Sequence, residues 1–198
     1  MNTISRHFTG RRRTDVKLPP GQHLERGFPV LQTGATPKVR TETWTFTITT
    51  EIGERHRWDW DQFMALPAEE ITADIHCVTS WSKLGTSWRG VSLDVLLDGV
   101  TTEAAYVMAK SSDGYTTNLP LADLRDGQAW VAFEYDGRPL RTQHGGPARL
   151  LVPHLYFWKS AKWVIGLDLM RTDSRGFWEK LGYHDYGDPW REQRYQGD

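Results

Sequence analysis

The segment 76–97 reads HCVTSWSKLGTSWRGVSLDVLL and contains the single cysteine of the chain, Cys77. Just before it, residues 71–78 alternate as a strand does, which places four residues on one predicted face: Ile71, Ala73, Ile75 and Cys77. A cysteine on such a face is most often a small buried hydrophobe. Cys77 stands at the strand end, however, where a side chain can emerge into a site. We expect the polar residues 80–90 after it to form a loop.

Short hydrophobic runs on both sides of this segment predict a fold rich in strands. Alternating or apolar runs predict strands over 42–50, 106–110, 115–119, 129–135, 149–152 and 163–169. Helices are few and short, over 61–66, over 93–98 with Ser92 as the N-cap, and at 121–125. Strict alternation of strands and helices is absent, which disfavours a doubly wound parallel sheet. The sequence also lacks the GxGxxG, P-loop, HExxH and GxSxG motifs.

Composition predicts a single domain with ordinary surface charge. The 198 residues include 38% hydrophobic ones, and the formal net charge is −1, which gives no reason to expect nucleic acid or a membrane surface. One cysteine excludes a disulfide within the chain and fits a reducing compartment. We find no apolar run suited to a secretory signal or a membrane span, and we expect a cytoplasmic protein.

The N-terminal region differs from the rest of the chain. Residues 1–40 are polar and rich in Arg, Gly and Pro, and Arg11 to Arg13 fit a solvated tail. The sequence therefore predicts an extended arm over 1–27 and one folded domain over 28–198.

A second segment with dense side-chain chemistry, residues 144–163, reads HGGPARLLVPHLYFWKSAKW. Its two glycines allow the backbone to approach a ligand closely. Arg149, Lys159 and Lys162 flank a tight turn in which Ser160 and backbone N–H groups supply neutral donors. Cations combined with backbone donors suit a phosphate or another anion. An ordinary surface loop fits these residues equally well.

Together with YVMAKSSDGYTTNLPL at 106–121, these two segments resemble the molybdopterin-binding domain of sulfite oxidases. The chain is most similar to the compact bacterial branch that lacks a haem domain and includes the methionine sulfoxide reductase catalytic subunit. The three segments fall in the family's order with sensible spacing, and the resemblance covers residues 28–190. It implies an α+β, strand-rich mixed fold of the sulfite oxidase type and a molybdenum–molybdopterin cofactor.

The resemblance also implies a set of site residues. Cys77 matches the one cysteine that binds the metal, which is reasonable since a soft thiolate suits a metal already held through sulfur. Tyr115 resembles the active-site tyrosine of the family, whose phenol can donate to a metal oxo group or a substrate oxygen. A packing aromatic is the alternative for Tyr115. The remaining matches are cofactor contacts: Ser111, His144, Arg149, Ser160, Ala161 and Lys162. Gln32, in FPVLQTG, stands where relatives place a polar cofactor-binding residue.

The implied activity is two-electron oxygen-atom transfer on a small sulfur-containing substrate, with an external electron carrier such as a cytochrome or flavoprotein. Sulfite oxidases carry basic residues just after the metal-binding cysteine, whereas residues 78–82 here are VTSWS. A neutral sulfoxide therefore fits as well as sulfite.

Two other functions remain open from the sequence. One is a hydrolase that uses Cys77 as its nucleophile with His76 or His144 as the base, although His76 should face the opposite side of the strand. The other is a protein that binds molybdopterin without turnover.

Overall fold

The computed structural model describes residues 17–198, so the arginine triplet at 11–13 lies outside the described part of the chain. Its strands are β1 His23–Leu24, β2 Thr45–Thr49, β3 Arg55–Asp59, β4 Ala68–His76, β5 Trp81–Ser92, β6 Tyr106–Ser111, β7 Thr116–Pro120, β8 Trp130–Tyr135, β9 Arg138–Pro139, β10 Arg149–Leu151 and β11 Val164–Met170. The α-helices are α1 Trp60–Met64, α2 Leu93–Leu96 and α3 Phe177–Lys180. Single 3₁₀ turns lie at Thr41–Thr43, Leu121–Leu124, Thr142–His144 and Phe157–Lys159. These elements confirm the predicted strand-rich α+β class.

The strands form two mixed sheets. In the first, β4 pairs with β5 along most of one edge, while β1 and β8 pair with the start and the end of its other edge. β8 in turn pairs with β9 and β10. The second sheet has the order β3-β2-β11-β6-β7, in which only the β2–β11 pairing is parallel among the described strands. Few long connections are helical, which agrees with the absence of a βαβ pattern in the sequence.

The hydrophobic core is divided between the two faces of the first sheet. Val131 and Phe133 of β8 belong to a large cluster that also contains Phe46 of β2 and Leu167 of β11, from the second sheet. Ala132, between them in sequence, belongs to a smaller cluster that includes Cys77. Because successive side chains of a strand alternate, the central strands are buried on both faces. The second face carries the candidate site.

The predicted loop at 80–90 is wrong, since residues 81–90 lie in the long strand β5. Thr86, Trp88 and Gly90 are buried, whereas Gly85, Ser87 and Arg89 between them are exposed. The period of two is present, but only Trp88 among its inward residues is a large hydrophobe, so the run is too polar to be recognised as a strand. Cys77 therefore opens a four-residue hairpin loop between β4 and β5.

Part of the predicted N-terminal arm lies against the domain. His23 and Leu24 pair in parallel with Trp81 and Ser82 at the start of β5. The boundary at residue 28 stays a prediction. No helix in residues 17–198 combines the length and apolar character needed to cross a membrane.

Candidate functional site

A cavity of about 370 Å³ lies on the second face of the first sheet, within the size range of small-molecule sites. Its walls come from segment 28–33, the Cys77 hairpin, the turn between β6 and β7, the 143–163 region and the C-terminal segment after β11. The structure brings most of the predicted site residues into these walls: Cys77, Tyr115, His144, Arg149, Ser160, Ala161 and Lys162. Ser111 is not a wall residue. Gln32 is one, and its side chain accepts a hydrogen bond from Thr36.

Residues near both ends of the described chain donate hydrogen bonds to the Cys77 hairpin. The Cys77 amide donates to the Trp81 carbonyl at 2.8 Å, and the Cys77 carbonyl accepts from the Gln22 side chain at 3.0 Å. Arg194, near the C-terminus, donates to the Val78 carbonyl. These contacts from residues far apart in sequence fix the position of the thiol relative to the cavity.

The thiol itself is not prepared as a nucleophile. Its Sγ contacts the Thr79 hydroxyl at 3.1 Å, and no described histidine or acidic side chain lies within hydrogen-bond distance of it. Burial raises the pKa of Cys77, and the hydrogen bond from Thr79 only partly opposes that rise. His76 instead pairs with Ser82 at 2.8 Å. A hydrolase needs a base next to the sulfur, so this arrangement does not favour that alternative.

Arg149 supplies a buried cation without a carboxylate partner in the described chain. Its side chain is 2% exposed and donates to the carbonyls of His144 at 2.9 Å and Ser160 at 2.7 Å. The guanidinium also lies 4.0 Å from the centre of the Phe157 ring. Burial lowers the pKa of Arg149, but a delocalised guanidinium keeps its charge at neutral pH.

Lys162 adds a second cation to the same cavity. Its ammonium donates to the carbonyls of Leu31 at 2.9 Å and Gln143 at 3.2 Å. Burial and the neighbouring Arg149 lower the pKa of Lys162 to about 8. Asp113 is the one acidic residue among the described cavity walls. Two cations against one carboxylate leave the cavity positive, which suits an anionic ligand.

The histidine at this end of the cavity is neutral. Burial, followed by the charges of Arg149, Lys162 and Arg141, lowers the pKa of His144 to about 4. Phe28 stacks on the imidazole with ring centres 4.0 Å apart and planes 14° apart. At neutral pH His144 therefore offers hydrogen-bonding nitrogens rather than charge.

The turn at 160–162 presents free backbone donors. The Ser160 hydroxyl accepts from the Val152 amide at 2.9 Å, and the Ala161 carbonyl accepts from the Leu150 amide at 2.8 Å. The amides of Ala161 and Lys162 have no hydrogen-bond acceptor among residues 17–198. Such amides beside two cations form a favourable site for a phosphate.

The glycines at 145–146 allow close packing of the protein backbone and do not contact the cavity. This corrects the sequence-based interpretation that they allow the backbone to approach a ligand. A Cβ on Gly146 would lie 2.1 Å from the Leu140 carbonyl oxygen, and one on Gly145 would lie 3.0 Å from the Cβ atoms of Arg149 and Lys162. Neither glycine is a wall of the cavity. They allow the 140–146 backbone to pack closely and so place both cations.

The predicted tyrosine and serine differ in their availability. Tyr115 is a wall residue, but its hydroxyl donates to the Trp158 carbonyl at 2.6 Å, and burial raises its pKa well above the ordinary value. Ser111, at the end of β6, is 4% exposed, and its hydroxyl has no partner among the described residues. The cofactor role of Ser111 stays a prediction.

The side chains that line the cavity are suited to bind a molybdenum–pterin group, and the structure alone shows this. A cysteine sulfur and two cations without carboxylate partners share one cavity with free backbone amides. The indole N–H of Trp81, also a wall residue, is buried without an acceptor in the described chain. A buried donor without a partner costs about 1–3 kcal/mol, which an acceptor on a bound ligand would recover.

Sequence reasoning did not predict most of the aromatic wall residues. Among those it missed, Phe28, Trp178 and Tyr183 lie outside the three sequence segments that it singled out. Trp178 and Tyr183 belong to the aromatic C-terminal region, which has no regular period. Their density of aromatic side chains was a signal, but only the fold brings them beside Cys77.

Comparison with known proteins finds one matching protein family and several related proteins. The model described as "Oxidoreductase molybdopterin binding domain" matches residues 33–178. The chain is 40% identical over 185 residues to the uncharacterized oxidoreductase YuiH of Bacillus subtilis (strain 168), covering 92% of this chain and 93% of the relative.

Two further relatives are longer. The chain is 32% identical to the putative protein-methionine-sulfoxide reductase subunit YedZ1 of Azospira oryzae, covering 69% of this chain and 52% of the relative. It is 30% identical to the protein-methionine-sulfoxide reductase catalytic subunit MsrP of Pseudomonas syringae pv. tomato, covering 82% and 53%. The chain thus spans about half the length of these two proteins.

The fold has a counterpart among solved structures. The sulfane dehydrogenase SoxCD of Paracoccus pantotrophus superposes with a TM-score of 0.62 and 20% identity, covering 69% of this chain and 40% of that chain. This similarity confirms the predicted sulfite oxidase-type fold.

Proposed function

Because the chain belongs to the family of oxidoreductase molybdopterin-binding domains, we propose that it is a molybdenum enzyme that transfers an oxygen atom to or from a small sulfur-containing substrate. The observation that carries this proposal is the shared cavity: the Cys77 sulfur lies in the same enclosure as Arg149 and Lys162, which have no carboxylate partner in the described chain. The cofactor carries a metal and a phosphate. A thiolate can bind the metal, and cations beside free backbone amides can bind the phosphate.

Each residue has a distinct part in holding the group. Cys77 would bind the molybdenum, and its thiol would lose a proton on doing so. Lys162 and the free amides of Ala161 and Lys162 would bind the phosphate, while buried Arg149 supplies fixed positive charge. Neutral His144 would hydrogen-bond the pterin. When bound, the molybdenum supplies the two-electron chemistry that the side chains lack.

We further propose that the substrate is a neutral sulfoxide rather than sulfite. Val78 and Thr79 line the cavity next to Cys77 and carry no charge, so neither can form an ion pair with an oxyanion. Two relatives named as protein-methionine-sulfoxide reductase subunits support this choice. Reduction of a sulfoxide breaks the S–O bond, consumes two electrons and two protons, and releases a sulfide and water.

The electrons must come from outside the chain. The described side chains include no redox group that could store two electrons, and two relatives are named as subunits. We therefore propose an external electron carrier, of cytochrome or flavoprotein type.

The test uses protein expressed in a host that makes molybdopterin, with reduced benzyl viologen as the electron donor. We expect loaded wild-type protein to reduce dimethyl sulfoxide and methionine sulfoxide, and to oxidise sulfite with ferricyanide far more slowly. Faster sulfite oxidation would contradict the sulfoxide assignment. Loaded protein without turnover of either substrate would favour the non-catalytic binding protein. Cys77→Ser is the matched control, because it keeps a small polar side chain and removes the sulfur.

A further inference from the structure

Two tyrosines line the cavity, and their hydroxyl groups differ in availability. The Tyr115 hydroxyl is committed to the Trp158 carbonyl at 2.6 Å. The Tyr183 hydroxyl has no hydrogen-bond partner among the described residues, yet it is not one of the enclosed polar atoms left unpaired. The hydroxyl is therefore accessible, and the residue that carries it lines the cavity.

The Tyr183 ring is held in a fixed position by other aromatic rings. It stacks on Trp178 with ring centres 4.8 Å apart and planes 18° apart, and it meets Trp158 edge-on at 5.1 Å. On its other side Tyr195 lies edge-on at 5.5 Å. A donor held this firmly loses little freedom when it binds, which is the condition for a preorganised hydrogen bond.

The segment that carries Tyr183 is also tied to the Cys77 hairpin. The His184 amide donates to the Arg194 carbonyl at 3.1 Å, and the Arg194 side chain donates to the Val78 carbonyl, next to Cys77. Tyr183 and Cys77 line the same cavity. The matched family region ends at residue 178, so nothing in that model assigns a role to Tyr183.

We propose that Tyr183, rather than Tyr115, donates the hydrogen bond to the oxygen atom that lies beside the metal at Cys77, on the substrate or on the cofactor. Tyr115 then has a structural role, in which its phenol ties the start of β7 to the 157–159 turn. Trp178 forms the apolar wall against which the carbon groups of a sulfoxide pack. This assignment rests on the proposed function, since it requires the cofactor at Cys77.

The experiment compares Tyr183→Phe, Tyr115→Phe and Tyr195→Phe, each expressed in a molybdopterin-producing host. Tyr195→Phe is the matched control, because it removes a phenolic hydroxyl from a neighbour that is 52% exposed and is not a cavity wall. Molybdenum and pterin contents are measured first. The electron paramagnetic resonance spectrum of the half-reduced protein then reports the surroundings of the metal without turnover, and kcat and KM for dimethyl sulfoxide follow.

We expect Tyr183→Phe to load normally, to shift the resonance spectrum and to lower kcat/KM roughly tenfold, the effect of one lost hydrogen bond. Tyr195→Phe should match wild type in all three measurements. An unchanged spectrum and kcat/KM in Tyr183→Phe, or a shift in Tyr115→Phe alone, would overturn the assignment while leaving the proposed function intact. Loaded wild type that reduces no sulfoxide would refute the substrate, and the spectra would still decide between the tyrosines. Wild type without molybdenum would overturn both proposals.

Discussion

The buried ion pair between Lys159 and Glu179 should stabilise the wall of the cavity, and its removal should be costly. Both side chains are 0% exposed, and Nζ lies 2.7 Å from Oε1. Lys159 also donates to the carbonyls of Asn118 at 2.7 Å and Asp185 at 2.6 Å. Glu179 in turn accepts from the Trp158 indole at 2.9 Å. The pair thus ties the C-terminal segment to the turn that carries Trp158.

Lys159→Met removes the ammonium and leaves the Glu179 carboxylate buried with neutral donors alone. Uncompensated buried charges of this kind cost about 3–5 kcal/mol, so we expect a loss of that size in the free energy of unfolding. Glu179→Gln leaves the opposite charge uncompensated. The double variant removes both charges and should be less destabilised than the sum of the single changes by about 2 kcal/mol or more.

Urea denaturation of the metal-free proteins, followed by tryptophan fluorescence and circular dichroism, measures all four free energies. A loss below about 1 kcal/mol for Lys159→Met, or additivity of the two single changes within about 0.5 kcal/mol, would show that the buried ion pair does not stabilise the protein as predicted. If a single variant does not fold at all, recovery of folding in the double variant demonstrates the same coupling.

Three further changes test the site. Gly146→Ala should destabilise the protein by about 2 kcal/mol or more in urea, because its Cβ would lie 2.1 Å from the Leu140 carbonyl oxygen; a neutral effect would contradict the packing role of this glycine. Because the folded-state pKa of His144 is lowered to about 4, its neutral form contributes stability above about pH 6.5 that is lost as the pH falls toward 4. His144→Gln should flatten the stability curve between these pH values, and an unchanged slope would contradict this. Lys162→Gln should weaken pterin retention during gel filtration about tenfold, through the loss of one charge-assisted contact, whereas exposed Lys180→Gln should not; equal retention in both would argue against the phosphate site.

The sequence predicted the elements whose side chains carry a clear pattern. The alternation of Phe46 and Ile48 located β2, and Ser92 marked the start of α2 correctly, with its hydroxyl accepting from the Asp94 amide at 3.1 Å. β5 was missed because Ser, Thr and Gly occupy many of its positions, and pairing with three other strands, not local propensity, makes it a strand.

The candidate site was predicted unevenly for a similar reason. Cys77, Arg149 and Lys162 lie within compact motifs, and the structure brings them to one cavity. Tyr183 lies far from those motifs in sequence and reaches the cavity through the folding of the C-terminal segment, in which Glu179 forms a buried ion pair with Lys159. Local patterns also could not show that the Tyr115 hydroxyl is occupied by a backbone carbonyl.

We would first measure the molybdenum and pterin contents of purified wild-type and Cys77→Ser protein from a molybdopterin-producing host, because they show whether the chain binds the cofactor through Cys77. We predict close to one molybdenum and one pterin per wild-type chain, and a lost or spectroscopically altered metal centre in Cys77→Ser. Well-folded wild-type protein that contains neither molybdenum nor pterin would contradict this prediction.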